Sequence, residues 1–188
     1  MTYFARVALL CCVCGAMCVR PAAAQSSTPS TEFFAGYSYL HDPGNVVLAI
    51  TADDANFTLG WTAGVATPIW RAVSAVGEVG GQYKTSTTLD DDISLTYYSV
   101  LGGARAAANV GPIREFVQLL TGAVYGRASG FGEVDAATAF ALQPGGGIDY
   151  PFAKRVAARL QLDYRYIHGS DGRSSAGQFR VVAAIVVH

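Results

Sequence analysis

The sequence predicts an all-β fold, an eight-stranded antiparallel up-and-down transmembrane β-barrel, on three observations. The first is composition. Of 188 residues, 51% are hydrophobic and only 14% are charged, against about a quarter charged in ordinary soluble domains. Mean hydropathy is +0.28. The second is helix length. Beyond residue 24 the longest uncharged run is 55–70, and Gly60, Gly64 and Pro68 make it a poor spanning helix. An apolar chain without spanning helices leaves the closed barrel as its route through a bilayer. The third is period: after residue 31, side chains alternate with period 2 in stretches of about ten residues separated by turn chemistry. Thirteen Lys and Arg stand against 14 Asp and Glu, a net charge of −1. No basic field exists to hold nucleic acid.

Residues 1–24 read as a secretory signal. Arg6 gives a positive start, residues 7–19 an apolar stretch too short to span, and Ala22 and Ala24 the small residues before a cleavage point at Gln25. All four cysteines (Cys11, Cys12, Cys14 and Cys18) lie inside it. The Cys11-x-x-Cys14 spacing would be lost on cleavage, leaving no thiol for a disulfide or a metal. Residues 25–31, Gln-Ser-Ser-Thr-Pro-Ser-Thr, form a linker. The barrel is expected over 32–188.

The first strand is 32–41, with Phe33, Tyr37 and Tyr39 on one face, and a loop over 42–56 follows. The second is 57–67, with Phe57, Leu59, Trp61, Ala63 and Val65 on one face. A tight turn around Pro68 leads to the third, 72–84, where Val73, Ala75, Val79 and Tyr83 oppose Ser74, Glu78, Gln82 and Lys84. An acidic loop spans 86–92. The fourth strand is 93–107, with a turn at 109–112. The fifth is 115–127, and its inward face is not fixed by its sequence. A loop spans 128–138. The sixth strand is 139–150, distorted at Pro144, and a turn spans 151–154. The seventh, 155–168, alternates most cleanly: Val156, Ala158, Leu160, Leu162, Tyr164 and Tyr166 against Ala157, Arg159, Gln161, Asp163 and Arg165. After a loop at 169–176 the eighth, 177–188, sets Phe179, Val181, Ala183, Ile185 and Val187 against Gln178, Arg180 and His188.

Connections after odd strands are long and acidic: Asp42, Asp53, Asp54, Asp90, Asp91, Asp92, Glu133, Asp135 and Asp171 against Arg173. Those after even strands are short, and they or their edges carry Arg71, Arg114, Lys154 and Arg155. Long outer loops and short periplasmic turns are the asymmetry of outer-membrane barrels. In such a barrel the apolar stripes face lipid. In a soluble lipocalin-like barrel they would face inward, and Arg159, Gln161, Asp163 and Arg165 would face solvent. Most tyrosines (Tyr37, Tyr39, Tyr83, Tyr97, Tyr98, Tyr125, Tyr150, Tyr164 and Tyr166), with Trp61 and Trp70, lie near strand ends, as interfacial girdles do.

The segments FFAGYSYL, YYSVLGGAR, PGGGIDYPFAKRVAARLQLDYRYI and FRVVAAIVV resemble the small eight-stranded outer-membrane barrels of the opacity and OmpA/OmpX type. The stretch from Gly145 to Tyr166 is the most specific, and the resemblance covers about 32–188. It implies the fold and an outer-membrane location, with outer-membrane lipid, lipopolysaccharide and the assembly machinery as partners. It implies no activity. Such barrels usually end in an aromatic residue, and Ile185-Val186-Val187-His188 departs from that pattern.

Expected lumen charges are Glu78, Lys84, Arg105, Asp149, Arg159, Asp163, Arg165 and Arg180. Eight strands leave room only for side chains to fill, so an interior salt-bridge network is expected ahead of a narrow ion path. A lipid A deacylase of similar barrel size uses a His-x-Ser pair with an acid downstream. His168-Gly169-Ser170 matches the pair, making His168 and Ser170 weak catalytic candidates, but no acid follows Asp171. Gly145-Gly146-Gly147 precedes no helix and is no nucleotide fingerprint. His41, His168 and His188 lack ligand spacing, so neither metal nor cofactor is expected. The Asp90-Asp91-Asp92 run reads as a solvated loop, with a bound divalent cation as the sharper alternative. The expected function is a monomeric, non-catalytic outer-membrane barrel with a structural or surface-interaction role. The alternatives are a porin-like narrow pore, a lipid-modifying enzyme and a soluble periplasmic binding barrel.

Overall fold

A computed structural model describes residues 30–42, 55–88, 91–130, 133–168 and 176–188. Among the described residues nine strands run in chain order: β1 (Glu32–Asp42), β2 (Ala55–Phe57), β3 (Leu59–Trp70), β4 (Val73–Thr88), β5 (Asp91–Val110), β6 (Ile113–Gly130), β7 (Glu133–Ala153), β8 (Val156–His168) and β9 (Ala176–Val187). Every pairing is antiparallel. The ring β1-β3-β4-β5-β6-β7-β8-β9 closes through nine β1–β9 pairs, from Phe33↔Val187 to His41↔Phe179. β2 pairs with the far end of β1 and leads directly into β3, so the two together make one of eight staves. No helix among the described residues is long and apolar enough to cross a membrane.

The strands outlast the apolar alternation that announces them. β8 has 13 residues, rising about 43 Å along itself and about 30 Å along the membrane normal at a tilt near 45°. β5 and β7 have 20 and 21. The expected loops at 86–92 and 128–138 are therefore mostly ladder, with Thr88↔Asp91 and Gly130↔Glu133 as the last pairs. Beyond the apolar band a hairpin needs no hydrophobic face. Its Ser, Thr and Asp side chains give no periodic signal.

The short turns also sit further along than expected. Pro68 lies inside β3, and the turn is Arg71 and Ala72, with Arg71 at φ 44°. Pro151 likewise lies inside β7, and the turn is Lys154 and Arg155. In both hairpins the register shifts just after the proline, between Pro68 and Trp70 and between Pro151 and Ala153. A residue without an N–H is tolerated where the ladder is already irregular. The third turn places Gly111 at φ 60° before Pro112. Pro144 is no bulge. The register is the same on either side, Leu142↔Tyr166 and Gly145↔Asp163, with the β8 ladder skipped at Gln143 and Pro144.

Facing follows the expected alternation on most staves. The fifth stave, whose inward face its sequence does not fix, is the exception in kind. On the fifth stave, β6, Phe116, Gln118, Leu120, Val124 and Ala128 point inward. Polar Arg159, Gln161, Asp163 and Arg165 of β8 are buried in the lumen, and Leu160 and Leu162 are exposed. That overturns the lipocalin-like alternative, in which these faces would be reversed. Two aromatics expected outside are inside. Phe57 is buried because the β2–β3 stave has one extra residue: Leu40↔Phe57 and Tyr37↔Trp61 leave Thr58, Leu59 and Gly60 facing Ser38 and Tyr39. The bulge reverses every side chain on its far side. Tyr97 is buried against Phe57, ring centroids 4.9 Å apart.

Candidate functional site

The lumen is the candidate site, and it is filled in two layers. Toward the short turns, Glu32 at the start of β1 receives three arginines. Arg159 Nη2 lies 3.2 Å and Arg105 Nη1 3.4 Å from Glu32 Oε2, and Arg114 pairs with Oε1. Arg159 also donates to both oxygens of Asp149, Nε at 2.7 Å and Nη2 at 2.8 Å, a two-point pairing that fixes the guanidinium plane. The Arg105 and Arg159 guanidinium groups both lie against the rings of Phe34 and Phe116, within 4.4–5.3 Å of the centroids. The rings separate two like charges from the strand wall and favour both.

A second knot sits above it. Arg180 Nη2 donates to Asp163 Oδ2 at 2.7 Å and to Glu78 Oε1 at 2.6 Å. Gln161 donates to both oxygens of Asp163, and Gln143 connects Glu78 to Arg165. Gln118 joins the two knots, accepting from Arg105 at 2.8 Å and donating to Asp163 at 3.4 Å. Nearer the long connections the filling turns apolar: Leu40, Phe57, Leu95, Tyr97, Val124 and Ile167 are buried together. Asp42, accepting from Gln178 at 2.8 Å, is a buried acid at that end.

Most expected lumen residues are where the sequence places them. Glu78, Arg105, Asp149, Arg159, Asp163, Arg165 and Arg180 are all at most 3% exposed. Lys84 is only partly buried. The reading missed Glu32, Asp42 and Arg114. Glu32 shares the face of Phe34, opposite Phe33, and that alternation is the signal that finds it. Asp42 looks like the first residue of a Pro-Gly turn, and Arg114 like a turn cation. Among the described residues the buried acids number five and the arginines, counting Arg114, also five. These ten groups cancel in formal charge, and partly buried Lys84 stands outside that count. The apolar half is the larger departure from a uniformly polar interior.

His168 ends β8, pairs across to Phe140 and is exposed on the outer wall. Ser170 and Asp171 lie outside the described residues, as does Asp90 of the acidic run. His41 bonds Asn56 Oδ1 at 2.7 Å on another stave, and among the described residues no group of His, Cys, Asp or Glu is placed to hold a metal ion. The outer wall carries a row of aromatics along paired positions: Tyr37 beside Trp61, Trp61 beside Gly81, Gly81 beside Tyr98, and Tyr98 beside Tyr125.

No protein-family model and no curated protein matches the sequence. Solved structures do. Neisserial surface protein A superposes with a TM-score of 0.67 at 11% identity, covering 84% of this chain and 96% of that one. The chain has the fold of the small eight-stranded outer-membrane barrels. Ail, the attachment invasion locus protein of Yersinia pestis, gives 0.56 at 14% identity over 84% and 98%. The N-terminal β-barrel domain of Pseudomonas aeruginosa OprF gives 0.52 at 10% over 85% and 97%. Nearly the whole of each neighbour is matched.

Proposed function

We propose that this chain is a monomeric barrel of the bacterial outer membrane, exported by the cleaved segment 1–24, that presents its long acidic connections at the cell surface and has no catalytic role. The observation that carries the reading is the inverted arrangement of polarity. Leu162, Val100, Val117, Phe140 and Phe179 stand exposed on the wall while ten charged groups are packed inside. Such a surface is unstable in water and matched to hydrocarbon. Lipid, lipopolysaccharide and the assembly machinery are its partners. A lumen packed with paired side chains argues against the pore. For the enzyme reading, His168 stands on the wall at the outer rim, and replacing it or Ser170 by alanine tests it through the lipid A profile.

One neighbour, Ail, is known in complex with the heparin analogue sucrose octasulfate. The acid excess in the long connections of this chain disfavours a polyanion there. The test is an epitope inserted within 169–175. Antibody labelling of intact cells is the predicted result. Labelling only after the outer membrane is permeabilised would contradict surface presentation.

A further inference from the structure

On the outer wall, the β4–β5 ladder carries unusually small side chains. Counted from the turn end, its outward pairs are Val73 with Ala106, Ala75 with Ala104, Gly77 with Gly102, and Val79 with Val100. Beside them β3 raises Val65 and Ile69, and β6 raises Val117 and Leu119. The wall is dented there into a groove of about 430 Å³, lined by Phe33, Ala63, Val65, Gly77, Val79 and Val100. The lining Gly77 is open, its added Cβ meeting only Val65 Cγ1 at 3.9 Å, and so is its ladder partner Gly102, whose Cβ would meet only Val76 O at 3.7 Å.

At the turn that joins β3 to β4, next to this ladder, stands Arg71. Its guanidinium lies 5.4 Å from the centre of the Trp70 ring, and Trp70 is 66% exposed. Arg71 makes no ion pair among the described residues. Six residues separate it from Gly77, about 20 Å along the strand and about 15 Å along the membrane normal, which is half the hydrocarbon thickness. That is the reach of one acyl chain from its headgroup to the midplane. The other two turns lack this pairing. Gly111 and Pro112 bring no cation to the tip. Lys154 and Arg155 adjoin the bulky exposed Phe152, Tyr150, Ile148 and Leu160.

The geometry points to a site for one anionic phospholipid, from the leaflet on the short-turn side, with its phosphate at Arg71 and an acyl chain in the β3–β5 groove. This rests on the membrane reading above. The cation selects the headgroup, the exposed indole sits at the interface, where Trp is favoured, and the groove holds the chain end.

Trp61 and Trp70 are the two tryptophans of the chain, so Trp61→Phe leaves Trp70 as the reporter. The full barrel is inserted into phosphatidylcholine vesicles holding equal small fractions of chain-brominated phosphatidylglycerol or chain-brominated phosphatidylcholine, and Trp70 quenching is compared. About fivefold enrichment of phosphatidylglycerol is expected for one interfacial cation. Arg71→Asn, which suits a positive φ, should abolish it, and Arg71→Lys should retain it. Gly102→Leu, filling the groove, should also abolish it, and the double variant Lys154→Gln, Arg155→Gln should not. Equal quenching by both lipids, or enrichment that survives Arg71→Asn or Gly102→Leu, overturns the site. So does a dimer, seen by crosslinking, that Gly102→Leu disrupts, since the groove would then seat a second copy. Insertion is checked on each sample by its gel shift with and without boiling. A variant set that never inserts contradicts the membrane reading instead.

Discussion

Arg180 faces Asp163 and Glu78 together, with all three side chains at most 1% exposed. In such a setting the cost of losing one partner exceeds the worth of the pair, because the remaining charges stay buried and now repel. Arg180→Met is expected to lower unfolding stability in vesicles by about 3–5 kcal/mol, read from the urea midpoint, and a loss under 1 kcal/mol would show that the knot is hydrated and soft. On the opposite face the rule reverses. Leu162, 62% exposed to the wall, is predicted to cost about 2–4 kcal/mol as Leu162→Arg if it lies near the bilayer midplane, measured the same way. Both residues were legible from alternation alone. Tyr97 was not. It is adjacent to Tyr98, and two neighbours cannot share a face, but nothing in the pair says which one enters the lumen. The structure sends Tyr97 inward and leaves Tyr98 44% exposed.

The β2–β3 stave shows where alternation fails. Its apolar odd positions from Phe57 to Val65 read as one continuous lipid face, yet the extra residue at Thr58 turns Phe57 into the lumen. A bulge leaves the composition of a strand unchanged, so period alone cannot locate it. Phe57→Ala is expected to cost about 3–5 kcal/mol, as core aromatic truncations do. Deleting Thr58 should produce a comparable loss by returning Phe57 to the wall, whereas Leu59→Ala on the lipid side should cost far less. The seam between β1 and β9 gives a sharper test. A Cβ on Gly36 would overlap Ala183 O and Ala184 Cα of the facing strand, both backbone atoms that cannot step aside. Gly36→Val should therefore prevent closure, seen as loss of the boiling-dependent gel shift with synthesis and export intact. The long hairpin ends were illegible for another reason: outside the apolar band, pairing is held by backbone hydrogen bonds and β-branched residues, which carry no in–out contrast.

Taken as one object, the barrel puts apolar side chains on its wall, five acids and five arginines in its lumen, and Leu40, Phe57, Leu95, Tyr97, Val124 and Ile167 across the half of that lumen nearer the long connections. A lumen so filled predicts no steady single-channel conductance in planar bilayers, and discrete openings in the unaltered protein would contradict the packing. Everything above depends on one inversion, polar inside and apolar outside, closed into a ring by β1 and β9. The most direct measurement is the mobility of the protein from isolated outer membranes on an SDS gel, with and without boiling. The account predicts a compact, faster form before boiling and the full-length position after it. A single unshifted band, with the protein recovered in the periplasmic wash, would contradict it.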